Sequence, residues 1–441
     1  MSNYKRLLSI LFPLVIFFLI LFIFGKSDNP FASMVITIVA GFLALIVASL
    51  LLRAIFFKNY FLILLGTFVI KTSIGISHYL IYIQPSYFSG GPLDFLSDYT
   101  QMHTMMSIAA DSRIHNGFFS LVNSQLFLIN KDYLFYYVLS TLYYFTGSHA
   151  LNICVFNAFI SSLTAVIVLH LYSLIDKTVL KGGFVLWLAC LFPMNLIASA
   201  LMRDIAGQFF IAMGLLILSL DYKNYTTRLI SIAVSMLLMS LQRAIYLLFP
   251  IITYVFIKVK KNKPVLLLSS IVLIFLILNF LSRVPFFERF YGYAFNAQFN
   301  ISRINTFLLL PFRLIRALIG PIPWTNILSN SMQTTYLSTN YLQSVVDITL
   351  LWILVPEYFT KREKIGIIEI IVLLFIFTGI STPDVHTYYF ATAFIFLIPF
   401  VGDKKKIFFS TFWRIIIFYI IFNFLYVSLG FAGTGIFQNT A

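Results

Sequence analysis

Apolar runs of roughly 15 to 24 residues, the longer of them enough to cross the ~30 Å hydrocarbon core of a bilayer as a helix, recur from one end of this chain to the other. No soluble block separates them. In lipid every backbone N–H and C=O must be satisfied internally, which leaves helices or closed barrels, and uninterrupted runs of this length select helices. The fold class expected is therefore all-α: a polytopic integral membrane protein whose residues 1–441 form a single membrane domain. Hydrophobic residues make up 60% of the chain and charged ones 10%, against about 25% charged in an ordinary soluble domain. Mean hydropathy is +0.95.

The expected spans are residues 6 to 24, 33 to 51, 61 to 83, 150 to 174, 182 to 201, 205 to 220, 227 to 241, 244 to 258, 265 to 281, 342 to 357, 366 to 381, 388 to 401 and 408 to 429, thirteen in all. The run Leu7 to Gly25 follows Lys5 and Arg6 as a signal sequence would, but no small-x-small cleavage site follows it, and it is read as the first helix. Cys154 and Cys190 fall inside apolar runs with no disulfide or zinc spacing, and are expected to be packing residues.

The net charge of +15 raises the possibility of a nucleic-acid partner, and its distribution removes it. The positive charge is spread through short linkers, as the positive-inside rule expects. Lys258, Lys260, Lys261 and Lys263, then Lys361, Arg362 and Lys364, then Lys404, Lys405 and Lys406 are assigned to the cytoplasmic side. Counting helices from these anchors makes the N-terminus cytoplasmic, the C-terminus external, and residues 84 and 149 both external. The segment 84–149 is then an external loop in which 118–147, rich in tyrosine, forms a re-entrant or interfacial hairpin, with a tight pair of true spans as the alternative. A second external loop, 282–341, carries an amphipathic helix.

The charges left outside are mostly arginine among the cations, whereas the internal linkers are mostly lysine. They include Asp94, Asp98, His103, Asp111, Arg113, Arg203, Asp204, Arg243, Arg313, Arg316, Asp384 and His386. Guanidinium is planar, permanently charged and matched to phosphate oxygens, so the cluster suggests an anionic, phosphate-bearing ligand, with lipid headgroups as the plainer use. Asp94 and Asp98 lie four apart after Gly90, Gly91 and Pro92, where a helix would start, so they share a face; paired carboxylates can raise one pKa into the range of a general base. An N-terminal turn favoured by the helix dipole is the plainer reading. Arg203 and Asp204 follow the kink expected at Pro193, either as a structural ion pair or as functional groups. Arg313 and Arg316 sit on an amphipathic stretch closed by Pro321, Pro323 and Trp324, suited to a lipid phosphate or to surface anchoring. Asp384 and His386 stand at the mouth of a later span as substrate contacts or polar caps.

Within the spans, Lys71, Asp347 and Glu369 are costly unless paired, and Asp347 is near enough to a helix end to snorkel. Three scattered charges with no repeated pattern make a weak transporter signal, and no convincing internal repeat of the transporter kind is found. Walker, dinucleotide-binding, paired-cysteine, HExxH and GxSxG motifs are absent. What remains is chemistry driven by a substrate that already stores its energy.

An aspartate in an early external loop followed by an aromatic and a small-residue helix (Asp98, Tyr99, Ala109, Gly117), a later FPxxxxxSxxxRD segment (Phe192, Pro193, Ser199, Arg203, Asp204) and a PxPW stretch (Pro321, Pro323, Trp324) are similar to features of bacterial polytopic glycosyltransferases of the GT-C type and of the related O-antigen or capsule repeat-unit polymerases. The resemblance is spread over most of the chain through short motifs. In GT-C transferases the catalytic loop commonly follows the first helix, whereas here it follows the third. The resemblance implies a polyprenyl-phosphate or polyprenyl-diphosphate sugar donor and transfer at the periplasmic face of the bacterial inner membrane. Asp98, Asp94 and Asp204 are then the candidate catalytic carboxylates; Arg203, Arg243, Arg313 and Arg316 bind the lipid phosphate; His103, Asp384 and His386 contact substrate. No metal or other cofactor is expected. Membrane lipids and polysaccharide assembly proteins are the expected partners, and nucleic acid is not. A lipid-linked oligosaccharide flippase and a structural subunit of an assembly complex are the competing classes.

Overall fold

The computed structural model describes residues 3–53, 60–84, 93–125, 133–173, 183–191, 204–220, 224–242, 244–247, 249–258, 269, 345–353, 393–402 and 404–428. Every regular element among them is helical. The helices are α1 (Asn3–Phe24), α2 (Pro30–Leu52), α3 (Tyr60–His78, continued by a π-helical turn Tyr79–Ile83), α4 (Leu93–Asn116), α5 (Tyr133–Thr146), α6 (Ala150–Ser173), α7 (Gly183–Cys190), α8 (Asp204–Ser219), α9 (Tyr225–Gln242), α10 (Phe249–Lys258) and α11 (Lys405–Ser428). Residues 345–353 are also helical. Arg6–Phe24, Pro30–Leu52, Tyr60–Ile81 and Ala150–Ser173 are each long and apolar enough to cross a bilayer, and α8 and α9 are shorter apolar helices. The chain is an all-helical, membrane-embedded protein.

Contacts divide it into two units, Met1–Leu191 with Asn195–Pro250, and Phe192–Met194 with Ile251–Ala441. The first unit is organised around α6, in which every side chain except Leu171 is buried. Helices α1, α2, α3, α5, α7 and α8 all pack against it. Its polar residues explain why it is inside. Asn152 donates to the Ser33 hydroxyl at 2.8 Å and accepts from Thr37 at 3.1 Å, while Ser33 donates to the Thr146 carbonyl at 2.9 Å. His149 Nε2–H donates to the Ser27 carbonyl at 2.9 Å. Together these bonds clasp the α1–α2 turn to the α5–α6 turn. At the other end of α1, Ser9 meets His170 of α6 at 3.3 Å, so the two helices run antiparallel. Phe17 stacks on Phe159 between those ends, with ring centroids 4.5 Å apart.

Local chemistry sets the helix ends. Asn29 caps α2 by accepting from the Phe31 and Ala32 amides, and Pro30 occupies the first turn, where its missing N–H costs nothing. Gly117 (φ +100°) and Gly147 (φ +81°) end α4 and α5 in the left-handed region that side chains disfavour.

Most expected spans coincide with helices, and three places differ. The end of the expected span 388–401 is a 3₁₀ turn, Ile395–Val401, because Pro399 lies within it and cannot donate the bond a continuous α-helix needs. The expected span 244–258 is likewise divided into a 3₁₀ turn, Ala244–Leu247, and α10, which restarts beside Pro250. Asp347 is fully buried rather than snorkelled to a helix end. The expected spans 265–281 (but for residue 269) and 366–381 and the loop 282–341 lie outside the described residues.

Candidate functional site

Lys71 in the middle of α3 hydrogen-bonds Ser161 in the middle of α6, and both Tyr79, two turns further along α3, and Cys154, in the first turn of α6, come close enough to Tyr143 to act on its phenol electrostatically. Helix α3 therefore finishes at the end of the unit where α6 begins. The chain between them leaves and returns at that one end. Two helices built from it, α4 and α5, pack on each other there.

His103 of α4 and Tyr143 of α5 form the centre of this junction. His103 Nδ1 lies 2.7 Å from the Tyr143 hydroxyl, and the rings meet edge to face at 5.6 Å. Tyr143 is fully buried, which pushes its phenol well above the usual range, with Cys154 and Tyr79 adding to the effect. Either group can donate in this bond; the arrangement in which the Tyr143 hydroxyl donates to Nδ1 is the one that places the hydroxyl proton on an acceptor among the described residues. The imidazole proton then resides on Nε2, and His103 offers an N–H donor from a half-buried ring. Burial lowers the pKa of His103, and nearby His149 lowers it further. The π-helical turn carries Tyr79 at the end of α3; such turns insert an extra residue and re-aim the side chains that follow.

Ten residues along α4 from His103, Arg113 is 4% exposed. Its Nη1 donates to the Thr141 hydroxyl at 2.8 Å, and the guanidinium lies over the rings of Tyr137 (4.0 Å) and Phe118 (4.9 Å). Two aromatic faces and a hydroxyl thus enclose a cation that the sequence assigns to the external side.

Asp94 and Asp98 lie in the first two turns of α4, which starts at Leu93, directly after Pro92. By helical register positions 94 and 98 fall on the same face as Met102, Ala109 and Arg113. Asp204 opens α8 and is buried, at the helix end where the backbone dipole favours a carboxylate. These two acidic helix starts and His103 belong to the same unit. Arg203, Arg243, Arg313, Arg316, Asp384 and His386 lie outside the described residues. Deeper in the unit, fully buried Lys71 interacts with Cys190 of α7 as well as with Ser161, and Thr67 hydrogen-bonds Cys190. Among the described residues no three His, Cys, Asp or Glu side chains converge as metal ligands would.

Sequence reasoning singled out His103 but missed Tyr143, Tyr79 and His149. Tyr143 stands in the aromatic run Tyr133–Thr146, where one tyrosine looks like the next until a partner is known. His149 carried a usable signal: it directly follows Gly147 and Ser148 at a helix start, where a polar side chain can reach a neighbouring turn. Comparison of the chain with protein families, with curated proteins and with solved structures found no match.

Proposed function

We propose that this protein is a glycosyltransferase of the bacterial inner membrane that acts on polyprenyl-linked saccharides at the periplasmic face, as a polymerase of O-antigen, capsule or exopolysaccharide repeat units. The observation that carries the reading is the His103–Tyr143 pair at one end of the helical unit, with His103 on a helix whose first two turns hold Asp94 and Asp98. Polar chemistry at a bundle end suits a substrate whose tail lies in lipid and whose sugar lies at the surface. The thirteen crossings, the cytoplasmic N-terminus and the external C-terminus belong to the same proposal.

In this mechanism Asp98, or Asp94 in its place, takes the proton of an acceptor sugar hydroxyl. That oxygen forms the new bond to the anomeric carbon of the donor. The bond from that carbon to the lipid phosphate breaks, and the polyprenyl phosphate or diphosphate leaves with the electron pair. Arg203, Arg243, Arg313 and Arg316 stabilise the departing anion, an electrostatic contribution that removal of a single donor commonly shows to be worth about 3 kcal/mol. His103, with its proton on Nε2, donates to a sugar oxygen. Asp204 is retained as a further candidate carboxylate at the start of α8.

Purified protein in lipid, supplied with a polyprenyl-linked repeat unit, tests the reading. Saccharide chains of increasing length are the expected product. Addition of one sugar would instead indicate a single-sugar GT-C transferase, and translocation without a new glycosidic bond a flippase. Asp98→Asn should abolish product while leaving the protein inserted and abundant; near-normal product would remove Asp98 from the role of base.

A further inference from the structure

We propose that the turn over residues 117–121, at the C-terminal end of α4, is a membrane wedge that places Phe119 and Leu121 among lipid acyl chains. Phe119 is 87% exposed and Leu121 79% exposed, the two most exposed large apolar side chains among the described residues. Single exposed apolar residues are common on any protein, but a pair at this level on one turn needs an apolar environment.

The neighbours supply that environment. Phe118 packs edge-on against Tyr144 at 5.0 Å and stacks on Phe145 at 6.3 Å. Phe145 in turn meets Phe22 at 5.8 Å and Phe18 at 6.1 Å, both on α1. Helix α1 is long and apolar enough to span a bilayer, and Phe22, Ile23 and Phe24 are all largely exposed on it. The turn therefore stands beside the last two turns of a span, and its exposed side chains continue the surface that α1 offers to lipid.

Part of the turn's polar backbone is satisfied internally, as lipid favours for irregular chain. Gly117 N–H donates to the Arg113 carbonyl at 3.0 Å, Ser120 N–H to the Gly117 carbonyl at 2.9 Å, and Ser120 Oγ to the Ser112 carbonyl at 2.9 Å. Gly117, at φ +100°, permits the reversal. Arg113, in the last turn of α4, is drawn under Phe118 and Tyr137 and away from the surface. Asp111 and His115 remain exposed on the preceding turns of α4, where the helix rises out of the apolar layer. The wedge thus fixes the height of α4, and with it His103, relative to the bilayer.

Spin labels on Phe119→Cys and, separately, Leu121→Cys in the full chain reconstituted in lipid nanodiscs test this, with Phe22→Cys on α1 as the lipid-exposed standard. The native cysteines, Cys154 and Cys190, are both buried and leave the introduced thiol as the reactive one. The expected result is a higher collision rate with oxygen than with a water-soluble nickel chelate at both positions, as at residue 22. A higher rate with the chelate places the turn in water and overturns the proposal. Low rates with both reagents mean that a second copy or another protein covers the turn, and also overturn it. None of these outcomes bears on whether the protein transfers sugars.

Discussion

Helices α1 and α6 are both unbroken apolar segments of span length, and they occupy opposite situations. The more apolar of the two, α1, has 28% of its most hydrophobic window buried; α6 has 100% buried. In a soluble protein that order would be reversed. In lipid, tails are as apolar as leucine, so an apolar side chain gains little by moving inward, and the interior goes to residues that pack closely or find hydrogen-bond partners. Helix α6 carries Asn152, Asn157, Ser161, Ser162, Thr164 and His170, every one of them buried. The Val15, Leu19 and Phe22 side chains of α1 face outward.

If polar partners hold α6 at the centre, removing them should cost far more than trimming α1. Asn152→Leu deletes the bonds to Ser33 and Thr37 and should destabilise the protein by about 1–3 kcal/mol, read from unfolding in mixed detergent. A cost no greater than that of an α1 surface variant would break the comparison. Ser161→Ala removes a partner of Lys71 and should cost about 1 kcal/mol in the same assay.

The junction beside α6 adds a pH term. Burial holds the pKa of His103 below its unfolded value of about 6.5, so between those two values the unfolded chain binds more protons than the folded one. The His103 contribution is fully present above pH ~6.5 and is lost as the pH falls toward the folded pKa. Unfolding measured from pH 7 to pH 5 should show stability decreasing, with a shallower decrease in His103→Gln. An unchanged slope in that variant would contradict the burial of the imidazole. The smallest effect is expected at α1, where Val15→Ala removes a side chain 60% exposed and should change stability by less than about 0.5 kcal/mol.

Much of the helical layout was legible because span length and apolar continuity are one-dimensional properties. Thus α6, expected at 150 to 174, is found at Ala150–Ser173, and α2, expected at 33 to 51, at Pro30–Leu52. The start of α4 was legible too, since a glycine pair followed by proline precedes Leu93 and puts Asp94 and Asp98 one turn apart. The 3₁₀ turn at Ile395–Val401 was missed because hydropathy does not register the hydrogen bond that Pro399 cannot make. The burial of Arg113 and of Asp347 was not legible for a related reason: a charge in the sequence says nothing of the rings or helices that close over it. Tyr143 became recognisable only through His103, forty positions earlier.

Hydropathy and charge alone determined that this chain enters a membrane as helices, because backbone groups in lipid must be satisfied internally and uninterrupted apolar runs of this length suit a helix rather than a barrel strand. They could not rank those helices, since periphery and centre are both apolar. Tertiary packing decided that α6 is the hub and that His103 meets Tyr143, because each depends on side chains from distant segments completing one another's hydrogen bonds.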